Sequence, residues 1–395
     1  MHTCMRSKFT VFFALAGFMF ITAPAVAQDE NHEELHHEQA HVEDAHHEDA
    51  HAAEMGAHDH HQEGAHDAED HGHGNAGDKD IKTIIKETID HHLADSYEFH
   101  ITGPVGFPLP VILFDEGMKV FLSSKFHHGE AVAHIGDKHY VLHHGKIYST
   151  DEAGTLNYDE HHHPTNAKPL DFSITKNVFM ILVMAIFMFF LFSGVAKSYK
   201  NSLVPSKSGK FLEPLIIFIR DEVAIPNIGE KHYKRYMSFL LTIFFFIWFL
   251  NLAGMTPLGV NVTGNIAITL SLALMTFIIT QVSGKKDYWM HIFWMPGVPV
   301  LIRPVLAVIE LIGLVVKPFS LMIRLYANML AGHVVIMSIL GLIFIFGSWV
   351  ASVPFLGLTL FLSVLELLVA ALQAYIFTML ASLYFGAAVE EHDHH

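Results

Sequence analysis

Residues 304–340, PVLAVIELIGLVVKPFSLMIRLYANMLAGHVVIMSIL, are an apolar run that carries Glu310, Lys317, Arg324, Asn328 and His333. The run is long enough to cross a bilayer as a helix, which takes ~20 apolar residues. Each charge at membrane depth costs ~2.5–3.5 kcal/mol on insertion scales, so a helix that holds several must line protein or water. Glu310, Lys317 and Arg324 are seven residues apart and so share nearly one helix face. Arg324 does not shed its proton, so it can bar protons but not relay them. The imidazole of His333 is of the side-chain type that takes up and releases protons at accessible pH, so it can relay them. A structural ion pair is the plainer reading of Glu310 and Lys317, but it leaves Arg324 without a reason. The pattern points to an ion pathway with a fixed positive charge in its wall.

A second apolar stretch, 356–387, carries Glu366 and Gln373 and ends near Tyr384. Residues 347–354, Gly347 to Pro354, read as a turn. If the two helices fold back about that turn, Arg324 comes level with Gln373, and His333 with Glu366. The two levels lie about 10–14 Å apart at the rise of an α-helix. One level holds an acid and an imidazole, the other a permanent charge and an amide.

The segment Arg324-Leu325-Tyr326-Ala327-Asn328-Met329-Leu330-Ala331-Gly332-His333 closely resembles the Arg-Leu-Phe-Gly/Ala-Asn-Met-x-Ala-Gly core of subunit a of the F-type ATP synthases. The resemblance covers roughly residues 170–390. It implies that Arg324 faces the ion-binding carboxylate of a rotating c-ring and separates two offset half-channels, with Gln373 beside it. His333 and Glu366 match positions held in many bacterial relatives by Glu and His respectively; the reciprocal arrangement here resembles the mitochondrial pattern. Glu310, Lys317, Ser320 and Tyr384 map toward a cytoplasmic outlet, and Asn328 belongs to the c-ring interface. The implied partners are the c-ring, the subunit b stator, the rest of the F1F0 complex, membrane lipid and the transported proton. Nucleic acid is not among them. The chain has no Gly-rich phosphate loop of the Walker type, so it is expected to be non-catalytic by itself, with no cofactor and no metal.

Composition divides the chain. It is 51% hydrophobic yet holds 40 acids and 32 histidines. Residues 28–80 contain 17 acids and one lysine, a net of −16 that equals the charge of the whole chain. The acidity therefore describes one tail, not a general partner. Thirteen histidines share that tail, which is too poor in apolar groups to fold. Its histidines suit zinc, copper or nickel, or proton buffering, and a plain solvated extension fits equally well. Cys4 is the only cysteine, so no intramolecular disulfide forms.

The elements that must position the polar residues follow in order. Residues 1–27 have Arg6 and Lys8, an apolar core and Ala25-Val26-Ala27, the layout of a cleaved secretory signal peptide. After the 28–80 segment, residues 81–170 predict a small β-rich extracytoplasmic module. It opens with a short amphipathic helix over 81–89 and has strands near 97–102, 111–114, 119–123 and 139–144. A docking role beside the membrane domain is its expected use. Residues 171–390 are the membrane domain, with spans at 177–195, 237–255 and 266–282 before the polar hairpin, and an interfacial helix at 211–235 that closes on a basic loop, 231–235. Residues 391–395 are a polar tail. Lys197, Lys200, Lys207, Lys210, Lys285 and Lys286 mark the cytoplasmic side. The expected fold is an all-α polytopic membrane protein with about five membrane-embedded helices, including a long C-terminal helical hairpin, preceded by the β-rich module. It would sit in the bacterial inner membrane with a periplasmic N-terminal region and a cytoplasmic C-terminus. The alternative function is a divalent-metal transporter with the His-rich tail as collector. That reading requires several ligands within the spans, where His333 is the one deep histidine.

Overall fold

The computed structural model describes residues 94–102, 105–129, 131–161, 163–201, 207–256, 260–295, 298–346 and 349–390. The signal peptide expected at 1–27, the His-rich segment 28–80, the helix expected at 81–89 and the tail 391–395 lie outside them.

The module is built from short antiparallel strands. β1 (Glu98–Thr102) pairs with β2 (Val105–Pro108); β3 (Pro110–Phe114) lies between β4 (Met118–Leu122) and β8 (Leu170–Asp171). β5 (Ala133–Ile135), β6 (Lys138–His143) and β7 (Lys146–Thr150) form a meander. Strand alternation turns Val111 and Leu113 of β3 inward, where they meet Phe121, Phe126, Tyr140 and Ile147. The four strands expected from sequence are present at β1, β3, β4 and β6. β2, β5, β7 and β8 were not anticipated: they are two to five residues long, and β2, β5 and β7 carry Gly, His and Lys respectively. Their partners' backbones, rather than their own propensities, make them strands.

The module is tied to the first membrane helix, α1 (Lys176–Asn201). The Asn177 backbone N–H donates to Asp95 Oδ1 at 3.1 Å, and Lys176 Nζ donates to the Ala94 carbonyl at 2.9 Å. Asp95 thus caps a helix that begins about eighty residues later in the chain. Phe99 and Phe107 stack on each other and Phe179 packs edge-on against both at the same junction. Replacing Asp95 with alanine should lower the stability of the junction by about 1 kcal/mol, the usual worth of an N-cap. Faster amide exchange at residues 176–180, with the core of the module unchanged, is the expected readout.

Past α1 come α2 (Lys207–Phe218), a π-helical segment (Ile219–Ala224), α3 (Ile225–Ile228), α4 (Tyr233–Gly254), α5 (Ile266–Ser283), α6 (Lys286–Phe293), α7 (Arg303–Phe346) and α8 (Trp349–Val389). Five of these, α1, α4, α5, α7 and α8, are long and apolar enough to cross a membrane. Three expectations need correction. The interfacial helix at 211–235 is broken: Gly229, at φ +86°, stops α3. The basic loop at 231–235 is largely absent, since Lys234 and Arg235 already lie in the first turn of α4. The turn at 347–354 is shorter, because α8 starts at Trp349 and contains Pro354. So near a helix start, proline gives up a single backbone hydrogen bond.

The described residues 260–265 of the connection between α4 and α5 are largely buried rather than solvated. Asn261 Oδ1 accepts from the Gly264 N–H, and Asn265 Oδ1 caps α5 by accepting from Ala267. These side chains satisfy backbone donors that would otherwise be stranded at the end of the bundle.

α7 has 44 residues and α8 has 41. At 1.5 Å per residue each is about 60 Å or longer, roughly twice the hydrocarbon thickness of a bilayer.

Candidate functional site

The hairpin of α7 and α8 places its polar residues in two clusters. In the first cluster His333 Nε2 lies 3.8 Å from Glu366 Oε1, and both side chains are about nine-tenths buried. The distance is just beyond hydrogen-bond reach, so a small side-chain rotation makes or breaks the contact. Glycines allow this packing. A Cβ at Gly332 would sit 2.8 Å from Glu366 Oε1, and one at Gly254 would sit 3.5 Å from His333 Nε2. The end of α4 therefore closes over the histidine while the acid rests on α7. Nearby, Thr263 Oγ1 donates to Asn251 Oδ1 at 2.7 Å, both residues almost fully buried. An acid and an imidazole can pass a proton between them once the contact shortens to hydrogen-bond length.

The second cluster lies toward the other end of the hairpin. Lys317 Nζ stands 5.8 Å from the centre of the Tyr384 ring. These two line a narrow cavity of about 20 Å³ with Thr276, Thr280, Gln281 and Tyr288, room for about one water molecule. Tyr288 OH and the Gln281 amide are 3.3 Å apart. Burial pushes the Tyr288 phenol up, and the nearby charge of Glu310 adds to it. Ser320 is exposed on α7 and stands apart from this cavity.

Arg324 falls between the clusters along α7. The two cross-hairpin contacts, His333 with Glu366 and Lys317 with Tyr384, set the register and bring Arg324 level with residues 375–377. That is within a turn of Gln373, which is buried, although no hydrogen bond joins the two among the described residues. Asn328 is exposed one turn along, beside exposed Ala327 and Ala331. Thr263, Gln281 and Tyr288 escaped the sequence reading. They are singly polar residues on other elements, and nothing in local spacing marks them.

Two family comparisons match the chain. The family described as the ATP synthase A chain matches residues 177–386, and a domain of unknown function matches residues 88–172. Subunit a of ATP synthase from Myxococcus xanthus (strain DK1622) is 45% identical over 235 residues, which are 57% of this chain and 76% of the relative. The subunit a of Pelodictyon phaeoclathratiforme (strain DSM 5477 / BU-1) is 42% identical over 287 residues, 68% of this chain and 80% of the relative. That of Anaeromyxobacter sp. (strain Fw109-5) is 37% identical over 316 residues, 77% of this chain and 70% of the relative, so its likeness extends well ahead of residue 177. With five membrane-length helices and a matching region that contains both polar clusters, the chain belongs to the ATP synthase A chain family, the a subunits of ATP synthases.

Proposed function

We propose that this chain is the stator ion-channel subunit of the F0 sector of an F-type ATP synthase, carrying protons to and from a rotating c-ring through two half-channels. The observation that supports this most directly is the placement of Arg324 between two separate polar clusters. It is about 14 Å along α7 from His333 and about 10 Å from Lys317. Protons reach the ring from outside by way of His333 and Glu366 and leave past Tyr384, Lys317 and Glu310. A protonated ring site enters lipid as a neutral group, whereas a charged one would meet a large desolvation cost. Arg324 draws the emptied carboxylate and repels protons that would pass straight through. The exposed small surface of Ala327, Asn328 and Ala331, with Ser320 on the same side, lets a ring helix approach closely. Gln373 backs Arg324 from α8.

In this reading the chain assembles with the c-ring, the subunit b stator and the remaining F1F0 subunits, and performs no phosphoryl chemistry itself. Residues 1–27 direct export, 28–80 extend into the periplasm, 81–170 form the periplasmic module, 171–390 are the membrane domain, and the C-terminus is cytoplasmic. Each charge crossing supplies ~2.3 kcal/mol per 100 mV, so several crossings drive each ATP.

The test is ATP-driven acidification of vesicles holding the complete complex with Glu366→Gln. Removing one proton-transfer group should slow pumping by about 100-fold. The exchange His333→Glu with Glu366→His keeps one acid and one imidazole, and should recover much of the rate. Wild-type pumping in the single variant would overturn the inlet assignment.

A further inference from the structure

The β5–β6 hairpin carries a feature that proton transport does not use. His134 and His139 are directly opposite each other across a two-residue turn, Gly136-Asp137. The pair next to such a turn, Ile135 with Lys138, exchanges backbone hydrogen bonds, so His134 and His139 occupy the following non-hydrogen-bonded position, where side chains stand closest. Their Nδ1 atoms are 2.7 Å apart at the surface, with ring planes at 76°. Two nitrogen lone-pair positions thus converge on one point. We propose that His134 and His139 form a chelate for a borderline divalent transition-metal ion of the Ni²⁺, Zn²⁺ or Cu²⁺ class.

The geometry needs little change. Zn–N bonds of ~2.0–2.1 Å at a tetrahedral angle separate the two nitrogens by about 3.3 Å, so the rings open by roughly half an ångström. The proton shared between the rings shifts to a remote Nε2, and both Nδ1 lone pairs go to the metal. Among the described residues no group of three or more ligands gathers, so water completes the coordination. Lys138 is held away by Asp115 and Glu116, while the Lys119 ammonium reaches Gly136 at the turn. A neighbouring cation disfavours ions held by field alone. Inner-sphere bonding to imidazole therefore selects transition metals over Mg²⁺ and Ca²⁺.

Twenty-five of the 32 histidines lie within residues 28–165, so bulk metal uptake would not locate the site. The measurement must resolve single residues. Diethyl pyrocarbonate modification of the full chain in detergent, mapped by peptide mass spectrometry, does so. With Ni²⁺ or Zn²⁺ at about ten times its Kd, modification of both His134 and His139 should fall about ten-fold, because only the unliganded fraction reacts. Mg²⁺ should leave them unchanged, and His139→Ala should abolish the protection of His134. Equal modification with and without Ni²⁺, equal protection by Mg²⁺, or protection of His134 that survives His139→Ala would each overturn the proposal.

Discussion

Arg324→Ala is expected to abolish ATP-driven proton pumping while ATP hydrolysis by the detached soluble sector stays at its wild-type rate. The physical reason is that the guanidinium has no neutral form at accessible pH, so it keeps its charge in either rotational state of a ring. At about 7 Å and an effective dielectric near 20, its repulsion of a proton is about 2 kcal/mol. That factor alone is about 30-fold in leak, and loss of the attraction that empties the ring carboxylate adds to it. Passive proton conductance of the vesicles should therefore rise as pumping disappears. Arg324→Lys keeps a cation, but a lysine ammonium is more readily deprotonated where water is scarce, so it should restore pumping only in part. Pumping at the wild-type rate in Arg324→Ala would remove the central residue of the proposed mechanism. The metal-transporter reading would then have to be taken up again.

Gly386→Ala should give the largest loss of stability from a single methyl group. A Cβ there would lie 2.0 Å from the carbonyl oxygen of Asn227, a backbone atom that no side-chain rotation can move. One turn earlier, the Asn227 amide donates to Ser382 Oγ at 2.9 Å, and Phe385 stacks on Tyr236 with ring centres 4.8 Å apart. This corner fixes the end of α8 against α3 and α4. Separating the backbones by more than an ångström would strain all three contacts, at about 3 kcal/mol or more. The effect should also travel. Glu366 lies twenty residues up the same helix, about 30 Å away, and its 3.8 Å approach to His333 depends on the height and rotation of α8. Lower thermal stability of the purified complex, together with slower pumping, is the expected pair of results. Wild-type stability would show that the bundle yields at this corner.

The amino-acid sequence alone determined the spans, because runs of ~20 apolar residues have few other fates in an aqueous cell. It also determined which helices pair, since α7 and α8 are joined by a short connection and must run antiparallel. From that symmetry alone His333 falls opposite Glu366, as the 3.8 Å contact now records. Charges within those runs stood out because they are costly in lipid and so few.

What the tertiary structure alone decided is where backbones come close. Asp95 caps α1 across about eighty residues of chain, and the Asn227 carbonyl occupies the space a side chain at Gly386 would need. Tyr288 and Gln281 reach the Lys317 cavity from other helices, and His134 meets His139 only because a turn sets their register. Hydropathy and periodicity are properties of neighbours in sequence. Contacts such as these depend on helix rotation, tilt and strand register, which are set by packing summed over the whole molecule.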